Sequence, residues 1–484
     1  MILKAKHIFP KVIFLVCLGL SLSFSINTAA SQQNAVSENV SGTSDPSIFL
    51  PVALKNYDRS LGIPIFGTQM YGSTHESSQF HDALMESNAS WLRNQVNWSS
   101  VEPVRTNPVS YNWNSVDSAL AAAREDMGGV HIIGTFEHVP DWAGPEHGPI
   151  PQHRFDEFAQ FVQAAVERYD GDGFNDAPGS PVVLYWEFFN EPDRNEWWGT
   201  KDKAPEFANM LQQVYPAVKS ANPNAQVVFP GIAYDWFEDQ NGAFYRNFLT
   251  DVLNHGGGNY FDVMNFHAYP AFHINWTQNE GPGLLEKANA IRSVLNSYGL
   301  DKPMIVTEAG WYSNNVIGGN IPGSPQIQAR YVVELFTQSL AADLDVMIWW
   351  MLYDLEGYHH DNGLVTSSNP PANKLSYTTY TILVDKLSTA HFVRKFSNAE
   401  TGDPRMEVYQ FEDFVNQRLV YVAWMNPVTT STTKSLRISA SQGIVRSAVT
   451  GNFIKNVADA EDGLTDGRIT VTVSASPIYV EVAK

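Results

Sequence analysis

Two glutamates stand out by their surroundings. Glu191 lies in "WEFFNEPD" and Glu308 in "IVTEAGW", each at the end of a run of bulky or β-branched apolar residues. Runs of that kind read as buried strands, so both carboxyl groups would sit at strand ends. A pair of carboxyls can share acid–base and nucleophilic work if their surroundings hold them in different protonation states. One among apolar neighbours is pushed up and keeps its proton, and one beside an arginine stays ionised. Arg93 in "WLRNQVNW" is the candidate arginine, and His267 and Tyr269 close a third apolar run, "FDVMNFHAY". The plainer reading makes Glu191 part of a strand-end turn set by Pro192, and Glu308 a surface loop acid.

These residues need elements to bring them together. From Ile63 the chain alternates short β-branched or aromatic runs with stretches of helical spacing. The strand candidates are "IPIFGTQM", "WLRNQVNW", "GVHIIGTFEH", "VVLYWEFFN", "AQVVFPGIAY", "FDVMNFHAY", "PMIVTE" and "DVMIWWML". Segments such as "RFDEFAQFVQAAVERY", "APEFANMLQQVYPAVKSAN", "LLEKANAIRSVLNSYG" and "QARYVVELFTQSLAADL" between them carry apolar residues at helical intervals. Eight strand–helix units predict an α/β fold, a (β/α)8 TIM barrel with long loops over 57–390. A doubly wound sheet is the alternative, but no strand leads into a GxGxxG turn. Beyond Ala390 the pattern holds strands only, "MEVYQFE", "RLVYVAWMN", "SLRIS", "IVRSAVT" and "RITVTVSASPIYVEV". Residues 391–484 therefore read as a C-terminal β-sandwich, a buttress rather than a sugar-binding module because few aromatics leave the strand alternation.

The ends and the bulk composition set the setting. Residues 1–30 pair Lys4, Lys6 and Lys11 with the apolar "VIFLVCLGLSLSFSI" and the small residues of "NTAAS", the pattern of a cleaved signal peptide, and 31–56 read as a flexible linker. The apolar run is short for a membrane span of about 20 residues, so no membrane association is expected after cleavage and the protein is expected to be secreted. Cys17, the one cysteine, lies in that leader, so the mature chain would hold no disulfide, thiol nucleophile or cysteine-bound metal. A formal charge of −20 disfavours nucleic acid and anionic membranes as partners. Hydrophobic and charged fractions of 44% and 17% suit a soluble globular chain, and a monomer is expected.

In a parallel barrel, residues at the carboxyl ends of strands converge on one face. Two carboxyls there can flank a glycosidic bond, one protonating the leaving oxygen and the other attacking the anomeric carbon. An "NEP" tripeptide arises by chance in roughly one chain in twenty of this length, so its pairing with "TEAGW" after the seventh strand carries the weight. On these motifs, residues 60–390 resemble the clan A glycoside hydrolases, retaining (β/α)8 glycosidases with carboxylates after strands 4 and 7, and most resemble family 39 and family 5-like enzymes. The resemblance implies Glu191 as acid/base, Glu308 as nucleophile and Asn190 as a contact to the sugar 2-hydroxyl. By similarity of "WLRNQVNWSSVEP", "NFHAYP" and "WWMLYD", it implies that Arg93 holds the nucleophile ionised, that Tyr269 contacts it, that His267 lines the pocket, and that Trp350 is the strand 8 tryptophan, four positions before Asp354. Phe189, before Asn190, departs from the Trp or Gly commoner there.

Other residues are placed by position alone. His138 beside "VPDWAG" could touch a sugar hydroxyl or be a satisfied core histidine. Trp142, Trp197, Trp198, Trp236 and Trp311 fall after strands 3, 4, 4, 5 and 7, and about half are expected to meet substrate, the rest packing the core. "YDGDGFNDAPG" lacks the EF-hand arrangement and reads as a solvated turn. His359 and His360 lie in the last βα loop, at the surface or on the cleft rim. The expected function is hydrolysis of β-linked poly- or oligosaccharides without cofactor or metal. A metal-dependent hydrolase would want a His-x-His on strand 1, which "IFGTQM" lacks. A non-catalytic polysaccharide-binding protein on the same scaffold is the remaining alternative.

Overall fold

The computed structural model describes residues 65–71, 78–125, 130–315 and 321–484. The expected signal peptide and linker lie outside the described residues. Eight parallel strands run β1 Phe66–Gln69, β2 Trp91–Asn97, β3 His131–Glu137, β4 Tyr185–Phe188, β5 Gln226–Val228, β6 Met264–Ala268, β7 Met304–Ala309 and β8 Val346–Trp349. They hydrogen-bond in the order β5-β4-β3-β2-β1-β8-β7-β6, and bridges Val228↔Val263 and Ile232↔Phe266 close the ring between β5 and β6. A helix follows each strand: α1 His81–Glu86, α2 Asn114–Glu125, α3 Phe155–Arg168, α4 Ala204–Ala221, α5 Phe248–Asn254, α6 Leu284–Ser297, α7 Pro325–Ala341 and α8 Leu375–Leu387. The barrel read from the sequence is the barrel observed.

Period-2 alternation stacks the barrel interior in layers. The lowest is apolar, with Trp91, Ile133, Val228, Val263, Ile305, Val346 and Ile348 at most 1% exposed. One step up, several strands turn polar: Arg93 after Trp91, Thr135 after Ile133, Glu187 after Tyr185, Thr307 after Ile305. These too are at most 1% exposed, so they must find partners inside the barrel. Outside, each helix buries one stripe; α3 does so with Phe155, Phe158, Ala159, Phe161, Val162, Ala165 and Val166.

The C-terminal region is a six-stranded antiparallel sheet facing a two-stranded one. Its strands are β9 Ala390–Lys395, β10 Met406–Asp413, β11 Arg418–Met425, β12 Lys434–Ser439, β13 Gln442–Ser447, β14 Phe453–Ala458, β15 Arg468–Val473 and β16 Ile478–Ala483, with β12 and β15 forming the small sheet. Val408, Tyr421, Ala423, Val480 and Val482 face Leu436, Ile438, Ile469 and Val471 of the small sheet. Tyr409, Phe411, Val420, Val422, Trp424 and Tyr479 join the core of the barrel instead. The large sheet is thus buried on both faces, which is why "LVYVAWM", after Arg418, is apolar throughout. β9 and β14 escape sequence reading because they are the two edges of that sheet, where burial imposes little alternation; five of the six β14 residues are exposed.

Helix α7 carries the junction. Arg330 Nη1 donates to the Val428 carbonyl at 2.6 Å and Gln338 Nε2 to the Tyr409 hydroxyl at 3.1 Å. Between them Glu334 is fully buried, and neither of its carboxylate oxygens has a hydrogen-bond partner. Burial, with Glu407 nearby, pushes its carboxyl well above the usual range against the pull of Arg330. A carboxyl raised by folding binds its proton more tightly in the folded state, so its contribution is present at low pH and is lost as pH rises past the unfolded value of about 4.3. Glu334→Met is expected to flatten the decline of the unfolding temperature between about pH 5 and pH 8 and to raise that temperature at the alkaline end. Scanning calorimetry reads both; an unchanged slope would show that Glu334 is compensated.

Candidate active site

Above the polar layer a cleft of about 1060 Å3, counting the part open to solvent, opens at the carboxyl ends of the strands. Glu191 and Glu308 both line it, with Asn190, His267, Tyr269, Trp311 and Trp350. Backbone irregularities aim the two carboxyls. β6 and β7 pair Phe266 with Val306 but His267 with Glu308, so Thr307 is an extra residue and the alternation resets. Thr307 and Glu308, adjacent in sequence, therefore both point inward. Glu308 lies inside β7 rather than after it. At β4 the chain leaves the strand through Phe189 and Glu191, both at positive φ (67° and 45°), a strained choice for non-glycine residues worth about 1–3 kcal/mol each. Phe189 is held by packing against Phe158, Trp198 and Phe207.

Arg93 is the hub beneath the cleft. Its Nε and Nη2 clamp Glu187 at 2.7 and 2.9 Å, its Nη1 donates to Glu308 at 2.7 Å and to Gln69 at 3.1 Å, and its Nη2 also donates to Asn190 Oδ1 at 2.9 Å. Since a guanidinium only donates, Asn190 must present its oxygen to Arg93, which leaves its Nδ2 for the cleft. Glu187 also accepts from Thr135, Thr307, Asn265 and the Gly231 amide. It is wholly buried and fully engaged, a structural carboxylate.

The two cleft carboxyls have different neighbours. Burial pushes Glu191 up to about 7, with Arg194, Lys287 and Arg93 pulling it back; His267 Nδ1 stands at hydrogen-bond distance from it, 2.9 Å. Burial also raises Glu308, opposed by His267 and Arg93, and Glu308 accepts directly from Arg93 and from the Tyr269 hydroxyl at 3.0 Å. The sequence reading left out the burial of Glu308 itself, which works against the arginine. Burial lowers His267 to about 4, so it is neutral near pH 7. Gly231 makes room for this ring: a Cβ there would stand 2.0 Å from His267 Nε2.

A buried set behind His267 was not legible in the sequence. Lys287 of α6, 1% exposed, donates to the carbonyls of Ala233 and His267 and to Asp235 at 2.5 to 2.6 Å. Burial pushes Asp235 to about 6 against the pull of Lys287, and it also accepts from Trp276. Asp193, raised to about 7 by burial, accepts from the amides of Ala233 and Tyr234 and ties the β4 loop to the β5 loop. Its place two residues after Glu191 was the one available signal.

Other expected positions divide. Trp197, Trp236 and Trp311 line the cleft, as do Trp350 and His360. Trp198 and Trp349 are fully buried. Trp142 is not in the cleft lining; its indole donates to the Glu102 carbonyl and lies between Arg105 and Arg154. His138 is not in the lining either; its Nδ1 meets Glu146 at 2.8 Å, and the preceding Glu137 lines the cleft in its place. Glu191, His267 and Glu308 place one donor atom each within 4.8 Å of one another, close enough to hold a metal ion, as do Asp170, Asp172 and Asp176 on the turn after α3. In that turn the acids accept from the backbone amides of Asp172, Gly173 and Phe174.

Glu187→Ala leaves the Arg93 charge buried with one of its two hydrogen-bonded carboxylates gone, and a loss of about 3–5 kcal/mol is expected in urea unfolding. A loss below about 1 kcal/mol would show that Glu187 is not the counter-charge on which Arg93 depends.

Residues 54–355 match the family model of cellulase, glycosyl hydrolase family 5. No curated protein matches the chain. Among solved structures it is similar to a family 39 glycoside hydrolase from the gut symbiont Bacteroides cellulosilyticus, with a TM-score of 0.64 and 19% identity over 87% of this chain and 81% of that one. It is similar also to the catalytic domain of family 30 xylanase C from Talaromyces cellulolyticus, with 0.56 and 12% over 87% and 97%. A glucosidase from Croceicoccus marinus gives 0.57 and 14% over 87% and 96%. All three likenesses to solved structures are of fold, and the family match spans more than half of the sequence. The chain belongs to glycosyl hydrolase family 5 and is a glycosidase built on a (β/α)8 barrel.

Proposed function

We propose that the protein is a secreted retaining glycosidase that cleaves β-linked poly- or oligosaccharides by double displacement, with Glu191 as acid/base and Glu308 as nucleophile. The observation that carries this is the carboxyl separation: an oxygen of each lies within 4.8 Å of the other. Retaining enzymes hold the two groups about 5–5.5 Å apart, whereas inverting ones need about 6.5–9.5 Å to fit a water between them.

A Glu308 oxygen attacks the anomeric carbon as the bond to the leaving oxygen breaks, and Glu191 gives that oxygen its proton. Glu191, now ionised, takes a proton from water, whose oxygen displaces Glu308 and restores both groups. Arg93 and Tyr269 hold the attacking carboxylate in place and favour its ionised form. Asn190 Nδ2 is the donor for the 2-hydroxyl, and Trp350 offers an apolar face to the same ring. The leader at 1–30 supports export, and no helix among the described residues is long and apolar enough to cross a membrane.

Glu308→Ala is expected to abolish hydrolysis of aryl glycosides, and azide to restore turnover as a glycosyl azide of opposite anomeric configuration. Undiminished hydrolysis, or binding of a polysaccharide panel with no reducing-sugar release by the native protein, would overturn the proposal. The proton on Glu191 sets the pH range: kcat/KM should fall as pH rises through about 7. In Glu191→Ala that alkaline limb should vanish for substrates with good leaving groups, while poor ones lose roughly 10²–10⁴-fold. A limb persisting at the same pH would assign the proton to another group.

A further inference from the structure

A third carboxylate shares the cleft. β3 turns Ile133, Thr135 and Glu137 inward, so Glu137 rises to the level of Glu191 and Glu308. Its side chain is 11% exposed, against 11% for Glu308 and 10% for Glu191. Gln95 Nε2, also in the cleft lining, donates to Glu137 Oε2 at 2.9 Å, while Oε1 stands 3.8 Å from Arg93 Nη2, too far for a hydrogen bond. Oε1 is thus left to accept from a ligand. That Nη2 is the nitrogen bonded to Asn190 Oδ1. Glu137 and Asn190 therefore stand side by side over one guanidinium, one an acceptor and the other a donor. Adjacent hydroxyls of one sugar ring have the spacing to meet such a pair.

The acids around this spot differ in charge: Glu191 is raised to about 7 and Asp235 is paired with Lys287, which leaves Glu137 and Glu308 as the carboxylates a ligand meets. Glu137, Glu191, Asp235 and Glu308 line the cleft, and no lysine or arginine does so among the described residues. Arg93 lies underneath and is engaged by Glu187, Glu308 and Asn190; Arg194 is paired with Glu196 at 2.7 Å and lies against Trp197. A carboxylated sugar beside Glu137 would meet the Glu137 and Glu308 carboxylates, and the cation beneath them, Arg93, is already engaged.

We propose that Glu137 binds the hydroxyl next to the one held by Asn190 and makes the cleft selective for neutral sugars over uronic acids. This rests on the glycosidase reading and names the substrate class for it. The full-length protein is assayed on the neutral aryl β-glycoside it cleaves fastest and on the 3-deoxy analogue. Glu137→Gln should lower kcat/KM on the parent by on the order of 10- to 100-fold, the worth of a hydrogen bond to a charged group, and by much less on the analogue. Glucuronamide should inhibit the native protein at least about tenfold better than glucuronate, which matches it in size, and the gap should close in Glu137→Gln. Equal or absent discrimination between the two inhibitors by the native protein overturns the charge selectivity, with no variant needed. A parent-substrate penalty equal to that on the 3-deoxy analogue overturns the contact. If the native protein and Glu308→Ala are equally silent on every neutral glycoside, the glycosidase reading falls instead. Calorimetric binding of methyl glucoside against methyl glucuronide then still decides the selectivity, equal affinity overturning it.

Discussion

The contact between Arg93 and Glu187 is the constraint from which the site follows. Both groups are at most 1% exposed, and a buried charge without its partner costs several kcal/mol. The barrel must therefore keep the pair together, and doing so leaves little freedom above it. Arg93 has donors to spare after clamping Glu187, and they reach Glu308, Asn190 and Gln69. Glu187 has acceptor capacity to spare, and it takes Thr135, Thr307, Asn265 and Gly231. Strands β1 to β4, β6, β7 and the loop after β5 are thus stitched through one ion pair, and two residues of the cleft are positioned by it.

The same buried layer explains how two glutamates a few ångströms apart differ. Desolvation raises both, so burial alone cannot separate their roles. The difference comes from hydrogen-bonded neighbours. Glu308 touches a permanent cation and a phenol, whereas Glu191 touches a histidine that burial keeps neutral. A neutral imidazole can donate to Glu191 when it is ionised and accept from it when it is protonated, so it accommodates both states of a carboxyl that must cycle. Were His267 charged, it would favour the anion and the acid form would be lost.

What could be read in advance divides along physical lines. Strand count, helix spacing and the barrel were legible because burial on two faces writes long apolar runs into parallel strands. The placement of Glu191, Glu308, Asn190, His267, Tyr269 and Trp350 in the cleft was legible because each stands at or near a strand's carboxyl end in a recognisable motif, and Arg93 because a lone arginine inside a buried strand needs a buried partner. The bulge that turns both Thr307 and Glu308 inward was hidden, since register is a property of two strands and not of one. Lys287 and Asp235 were hidden because their partners are backbone carbonyls and each other, brought together by the loops after β5 and β6 and by α6. His138 and Glu137 are adjacent, so locating a strand's end within one residue was not enough to say which would face the cleft.

The sandwich bears on the site through α7. This helix follows β7, the strand that carries Glu308, and its Gln328 amide bonds the carbonyls of Trp311, Asp361, Asn362 and Gly363. Those residues belong to the loops after β7 and β8, which supply Trp311, Tyr312 and His360 to the cleft. On the same helix, Arg330, Glu334 and Gln338 face the sheet built around β10 and β11. One rigid element thus touches the sandwich along one stripe and holds the cleft-forming loops near its first turn. The aromatic Tyr409, Trp424 and Tyr479 of the sandwich are spent on this packing rather than displayed to solvent. A surface that binds sugar needs its aromatic faces open, so the side of the sheet that meets the barrel is closed to sugar, and α7 links it to the loops that supply Trp311 and His360.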